Sequence, residues 1–167
     1  SRCVVIWGAN PFASGSIAGC SLPRTRLLFN RLKRQGVRFI VIDPRVSETV
    51  SIADLHLRIR PGTDGMLALA MMRVLLEEDL YDRAWVERHT FGFDKLRQLL
   101  EGVDLARASS LTRVSEGDIR QAARLFAGTH PASIITGVGV EHHTNTVQTI
   151  RAIMSLLALT GNVDVAG

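Results

Sequence analysis

Two β-branched, mostly apolar runs constrain this chain most: Cys3–Trp7 (CVVIW) and Val37–Ile42 (VRFIVI). Neither alternates apolar with polar residues, so each reads as a strand covered on both faces. Between them come Gly8-Ala9-Asn10-Pro11, a small-residue loop through Gly19, and Ser21-Leu22-Pro23. A cap-type Ser with Pro in the first turn starts a helix there. Leu27, Leu28, Phe29 and Leu32 are its expected inner side, and Gly36 ends it. A strand, a helix and a strand joined this closely make a βαβ unit, whose strands run parallel with a right-handed crossover.

The pattern continues. "SETVSIAD" predicts a short helical turn, Leu55–Ile59 a third strand, and Thr63 or Asp64 the cap of an apolar helix running to Glu78. "DRAWVERH" and "FDKLRQLL" predict two amphipathic helices within a helical insertion over about residues 80–115. Ser115-x-x-Asp118 is a capping-box spacing that opens a helix to about Gly128. "ASIITG" is a fourth strand, and Thr144 or Asn145 opens a last helix to about Leu159. The expected architecture is a three-layer α/β/α sandwich around a mostly parallel, Rossmann-like sheet. Residues 1–167 form one domain, and the abrupt start and stop suggest a piece of a longer multidomain protein.

Composition narrows the function classes. With 46% hydrophobic residues the chain has a substantial core. Its formal charge of +4 is spread out, except for Arg24, Arg26, Arg31, Lys33 and Arg34 on one helix, a solvated face or an anion-steering rim. Aromatics make up 5% and do not interleave with the basic residues, which argues against nucleic acid as a partner. The longest apolar stretch, MLALAMMRVLL, is too short to span a bilayer and carries Arg73, so no membrane insertion is expected. Cys3 and Cys20 have neither metal-ligand nor disulfide-framework spacing and read as reduced and structural.

In parallel sheets, ligands bind beyond the carboxyl ends of the strands. Gly8-Ala9-Asn10-Pro11, Asp43-Pro44-Arg45, Pro61-Gly62-Thr63-Asp64 and Gly137-Val138-Gly139 each follow a strand. Glycines permit close backbone approach, and helix N-termini behind them favour anions, so a nucleotide or phosphate site is plausible. A carboxylate at Asp43 suits a ribose diol, Arg45 a phosphate, and Asp64 the adjacent N–H donors of a guanine edge. Asp64 is equally readable as a helix cap, and Asp43-Pro44 also suits a plain turn starter. Glu141-His142-His143 invites a metal, but adjacent side chains diverge, and no metal site is assigned. No G-x-S-x-G or other nucleophile arrangement occurs, so no catalytic residue is assigned either.

Together "WGANP", "VIDPRVSETVSIADLHLRIRPGTDGMLALAM", "EEDLYDRAWVERHTFGFDKL", "SEGDIRQAARLFA" and "GVGVEHHTNTVQTIRAIMSLLALTGN" resemble the molybdopterin oxidoreductase (dimethyl sulfoxide reductase) family, which includes formate dehydrogenases, nitrate reductases and thiosulfate reductases. The likeness runs the length of the chain in order. It implies a bis-molybdopterin guanine dinucleotide cofactor with molybdenum or tungsten, one dinucleotide being held by this segment. It further implies that Gly8 and Asn10 meet the phosphate or pterin side, and that Asp43 and Arg45 take the ribose. Gly62 and Asp64 would face guanine, while Gly137, Gly139 and His142 approach the pterin and metal. His142 stands where relatives often have glutamine.

The family's [4Fe–4S] motif and metal-ligating residue are not in this segment, which alone is expected to be inactive. The implied parent moves two electrons between a small substrate and the metal. Its partners would be the other domains of its own chain and electron-transfer subunits, in the cytoplasm or periplasm. Two rivals stand beside this. One is a metal-free scaffold such as the large iron–sulfur subunit of respiratory complex I, against which Asp43, Arg45 and Asp64 argue. The other is a nicotinamide-dependent dehydrogenase, against which the missing G-x-G-x-x-G after the first strand counts.

Overall fold

The computed structural model describes residues 1–14 and 22–166. Residues 15–21, with Cys20, Ser21 and the later part of the expected loop, lie outside the described residues, whereas the start of that loop, Pro11–Ser14, is a short helix. The elements are β1 (Cys3–Trp7), α1 (Pro11–Ser14), α2 (Leu22–Arg34), β2 (Arg38–Ile42), a 3₁₀ turn (Glu48–Ile52) and β3 (Leu55–Leu57). There follow α3 (Asp64–Glu77), α4 (Arg83–His89), α5 (Phe93–Glu101), α6 (Leu105–Thr112), α7 (Glu116–Gly128), β4 (Ala132–Thr136), α8 (Val138–Glu141) and α9 (Thr146–Leu159). The strands lie in the order β3-β2-β1-β4 and pair in parallel throughout. Val5 on the central strand sits between Ile40 and Ile134.

Both faces of the sheet are covered, as the apolar strands require. Cys3, Val5, Trp7, Ile40 and Ile42 point into a core shared with α3, α7 and α9. Val4, Ile6, Phe39 and Val41 point the other way, onto Phe12, Phe29 and Ile52. Helix α3 is buried almost all round, at Leu67, Ala68, Ala70, Met71, Met72, Val74 and Leu75. The apolar run that is too short for a bilayer is therefore an interior helix. Among the described residues no helix is long and apolar enough to cross a membrane.

Several local expectations change. On α2 the inward residues are Thr25, Phe29 and the half-buried Leu32, spaced four and three apart, while Leu27 is 66% and Leu28 46% exposed. At 100° per residue Leu27 falls on the far side of that stripe and Leu28 at its edge. Strand β3 stops at Leu57 because the Ile59 N–H turns back to the Leu57 carbonyl (3.0 Å). The helical insertion resolves into α4, α5 and α6, the last capped by Asp104, which accepts from the N–H groups of Ala106 and Arg107 (3.0 and 3.3 Å). At α7 the predicted cap is present: Ser115 Oγ accepts from Asp118 N at 3.0 Å.

Candidate functional site

The strand order reverses at β1. Chain order runs outward through β2 and β3 on one side and returns as β4 on the other. Crevices in parallel sheets open at the strand ends near such a reversal. A cavity of about 680 Å³ lies there, walled by residues that follow β1, β2, β3 and β4.

Its floor is a backbone zipper that extends the ladder beyond the strands. Gly8 N donates to Ile42 O (2.9 Å), Gly137 N to Trp7 O (3.1 Å) and Gly139 N to Gly8 O (2.9 Å). The glycines are needed for this approach. A Cβ on Gly137 would sit 2.7 Å from Ala9 Cβ and 2.8 Å from Gly8 O, and one on Gly139 2.8 Å from Gly8 O. Gly8 has φ +61, and its Cβ would lie 2.8 Å from Val140 N. The space that glycine frees here is filled by the opposing strand end, which sets the width of the cavity.

Asn10 fastens the loop after β1 to the 3₁₀ turn after β2. Its Nδ2 donates to Glu48 Oε2 (2.8 Å), and its Oδ1 accepts from Thr49 Oγ1 (2.7 Å). Thr49 is fully buried, and its Oγ1 also accepts from Phe12 N (3.3 Å). The Asn10 amide beside Glu48 holds that carboxyl below its ordinary pKa, helped by Arg26 and Arg45.

The two carboxylates share this cavity. Asp43 is 5% exposed, and its Oδ1 accepts from Arg45 N (2.8 Å), a local turn of the kind Asp favours. The turn and ligand readings of Asp43 thus coexist, since its side chain both closes the turn and lines the cavity. The Arg45 guanidinium stands 3.9 Å from Asp43 Oδ1 and is largely exposed, at the rim. His56 Nε2 lies 3.0 Å from Asp43 O and braces the segment from β3.

Asp64 differs from its expected role as a cap. Helix α3 begins at Asp64 itself, with Thr63 as the N-cap position and no side-chain cap bond. Thr63 Oγ1 donates instead to Arg60 O (2.6 Å). Asp64 is 5% exposed, and its Oδ1 accepts the Trp7 indole N–H at 2.8 Å, across 57 residues of sequence. The first residue of a helix points its carboxylate along the sheet edge rather than back over its own N–H groups, and the last residue of β1 meets it there.

Of the sequence-predicted residues, Gly8, Asn10, Asp43, Arg45, Asp64, Gly137 and Gly139 line the cavity together. Gly62 (φ +79) lies beside it and lines a neighbouring groove instead. His142 terminates the short helix α8 with its side chain exposed, whereas His143 reaches the cavity. His142 therefore does not line this cavity with the other predicted residues, and its neighbour His143 does. Trp7 and Thr136 were also missed; an indole ending a buried strand, with an unpartnered N–H to satisfy, was the available signal for Trp7. Among the described residues no three His, Cys, Asp or Glu side chains group as metal ligands.

The arrangement offers acceptor carboxylates and backbone edges in an apolar-walled crevice, the chemistry of holding a polar cofactor. A family model for molybdopterin oxidoreductases matches residues 1–167. The chain belongs to the molybdopterin oxidoreductase family. Formate dehydrogenase H of Escherichia coli (strain K12) is 39% identical over 160 residues, which is 96% of this chain and 21% of that protein. The assimilatory nitrate reductase catalytic subunit of Bacillus subtilis (strain 168) is 34% identical over 163 residues, 98% of this chain and 22% of that protein. Among solved structures, acetylene hydratase from Pelobacter acetylenicus superimposes with a TM-score of 0.87 at 31% identity, over 98% of this chain and 22% of that one. As a molybdopterin oxidoreductase domain, the chain thus spans about a fifth of the length of these relatives. The mixed α/β class with a parallel sheet and the family expected from the motifs are both as read.

Proposed function

We propose that this chain is the domain of a molybdenum or tungsten oxidoreductase that holds one of two molybdopterin guanine dinucleotides. The observation that carries the reading is the pairing of two buried carboxylates, Asp43 and Asp64, in one strand-end cavity of a molybdopterin oxidoreductase chain. Carboxylates 5% exposed are costly unless something donates to them. Among the described residues each has one hydrogen-bond donor on Oδ1, the Arg45 N–H or the Trp7 indole, which leaves acceptor capacity for hydroxyl or N–H groups of a ligand. The size also supports it: about 680 Å³ lies within the range of small-molecule and cofactor sites.

In this proposal Asp43 accepts from ribose hydroxyls, with Arg45 at the rim offering its fork to phosphate. Asp64, with Gly62 beside it, takes the guanine. Gly8, Gly137 and Gly139 form the narrow wall toward the pterin side, and Asn10 holds that wall in place through Glu48 and Thr49 rather than by touching the cofactor. When bound, the cofactor's metal exchanges two electrons with a small substrate; the chain itself supplies binding and orientation. The named relatives act on formate and nitrate or carry the name acetylene hydratase, so the substrate is set outside this segment.

The test is the composition of the purified full-length protein. Metal analysis should find molybdenum or tungsten, and acid hydrolysis should release guanine nucleotide, at two per metal. A protein with neither would refute the proposal and favour a metal-free scaffold.

A further inference from the structure

Asp64 starts α3, lines the cavity and is bonded to the last residue of β1. Trp7 is fully buried, and its Nε1–H donates to Asp64 Oδ1 at 2.8 Å. An indole nitrogen can only donate. Whatever occupies position 64 must therefore turn an acceptor toward Trp7, and this fixes which atom turns toward the cavity. With aspartate both oxygens accept, so the cavity face is also an acceptor. An asparagine would have to give its carbonyl to Trp7 and would present its NH₂ to the cavity. Helix α3 starts at residue 64, so its N-terminal end lies beside the carboxylate.

We infer that Trp7 is the positioning residue for position 64: by engaging Oδ1 it leaves the second carboxylate oxygen for a ligand edge that donates N–H, and it would hold the carbonyl of an amide at this position away from the ligand. This rests on the reading of Asp64 as the base-facing residue and extends it to a residue outside the cavity lining. Trp7 touches no ligand and acts only through Asp64.

The experiment uses the full-length protein and measures guanine nucleotide released per folded molecule in four forms. They are the parent, Asp64→Asn, the parent with Trp7 replaced by the isosteric benzothienylalanine, and the combination of the two changes. Benzothienylalanine keeps the bicyclic shape and lacks only the N–H, so the core stays filled. Asp64→Asn should lower retained nucleotide about tenfold or more, from the loss of a charge-assisted acceptor. Removing the N–H as well frees the Asn amide to turn its carbonyl inward, so the combined form should recover severalfold over Asp64→Asn alone. If the combined form is as empty as Asp64→Asn, or emptier, Trp7 is only a structural partner and the inference falls. If Asp64→Asn retains nucleotide like the parent, position 64 sets no polarity, and the inference likewise falls. A parent protein without guanine nucleotide overturns the reading beneath it instead, so the two failures are told apart.

Discussion

Gly137→Ala tests the backbone zipper that sets the cavity's width. The added Cβ would lie 2.7 Å from Ala9 Cβ, 2.8 Å from Gly8 O and 3.0 Å from Ala9 Cα. None of these atoms ends a flexible side chain, so the loop at Gly8-Ala9 must move as a unit. That movement strains the bonds from Gly137 N to Trp7 O and from Gly139 N to Gly8 O. Overpacking of this kind costs about 1–3 kcal/mol, and the absence of a yielding neighbour puts Gly137 in the upper half of that range. For a chain of this size each kcal/mol moves the midpoint by roughly 2–4 °C. Gly128 is the matched control: it ends α7, and a Cβ there meets nothing within 4 Å. Gly128→Ala should stabilise by about 0.4–1 kcal/mol through the unfolded chain. Urea and thermal unfolding of both variants decide the matter. If Gly137→Ala falls within about 0.5 kcal/mol of the parent, as an inconsequential surface change would, the zipper does not constrain the strand ends as described.

Other outcomes follow from single contacts. Asp64→Ala leaves the buried Trp7 N–H without its acceptor and should cost about 1–3 kcal/mol in denaturant, whereas Asp64→Asn, which keeps a carbonyl for Trp7, should cost less. Burial opposes ionisation of Asp54, yet Lys33, the Phe39 N–H and Arg38 together hold its carboxyl below the ordinary 3.8. A depressed folded pKa means that its contribution is whole above about pH 4 and lost as pH falls through the lower folded value. The stability gap between the parent and Asp54→Asn should therefore be constant at neutral pH and close in acid. Cys3 is fully buried, and burial first, then Asp54, pushes its thiol up to about 12. Peptide mapping after alkylation at pH 8 should find Cys3 unmodified in the native protein and modified in denaturant.

Much of the fold was legible because its signals are local and redundant. The CVVIW and VRFIVI runs, the turn at Gly36 and the Ser115 cap each agree with the tertiary arrangement. The order β3-β2-β1-β4 was not legible, because nothing in "ASIITG" says which edge of the sheet it joins. At the site, the strand-end rule found seven cavity residues without any three-dimensional information. It could not see that Gly137 and Gly139 face Gly8, since the reason for a glycine lies in what approaches it across the sheet. Asp64 shows the same limit. Residue type and position suit a cap, but its partner is an indole 57 residues earlier, and only the closed sheet brings the two together. The short helix α8, which precedes His142, was not legible because four residues are too few to show a period.

The central claim is that one guanine dinucleotide of a metal cofactor sits in the cavity beyond the strand ends. A structure of the metal-loaded full-length protein tests it most directly. The account predicts a guanine whose N–H edge donates to Asp64, with the Trp7 indole still on Oδ1, and a ribose on Asp43. A dinucleotide bound elsewhere, with Asp43 and Asp64 facing only water, would contradict it.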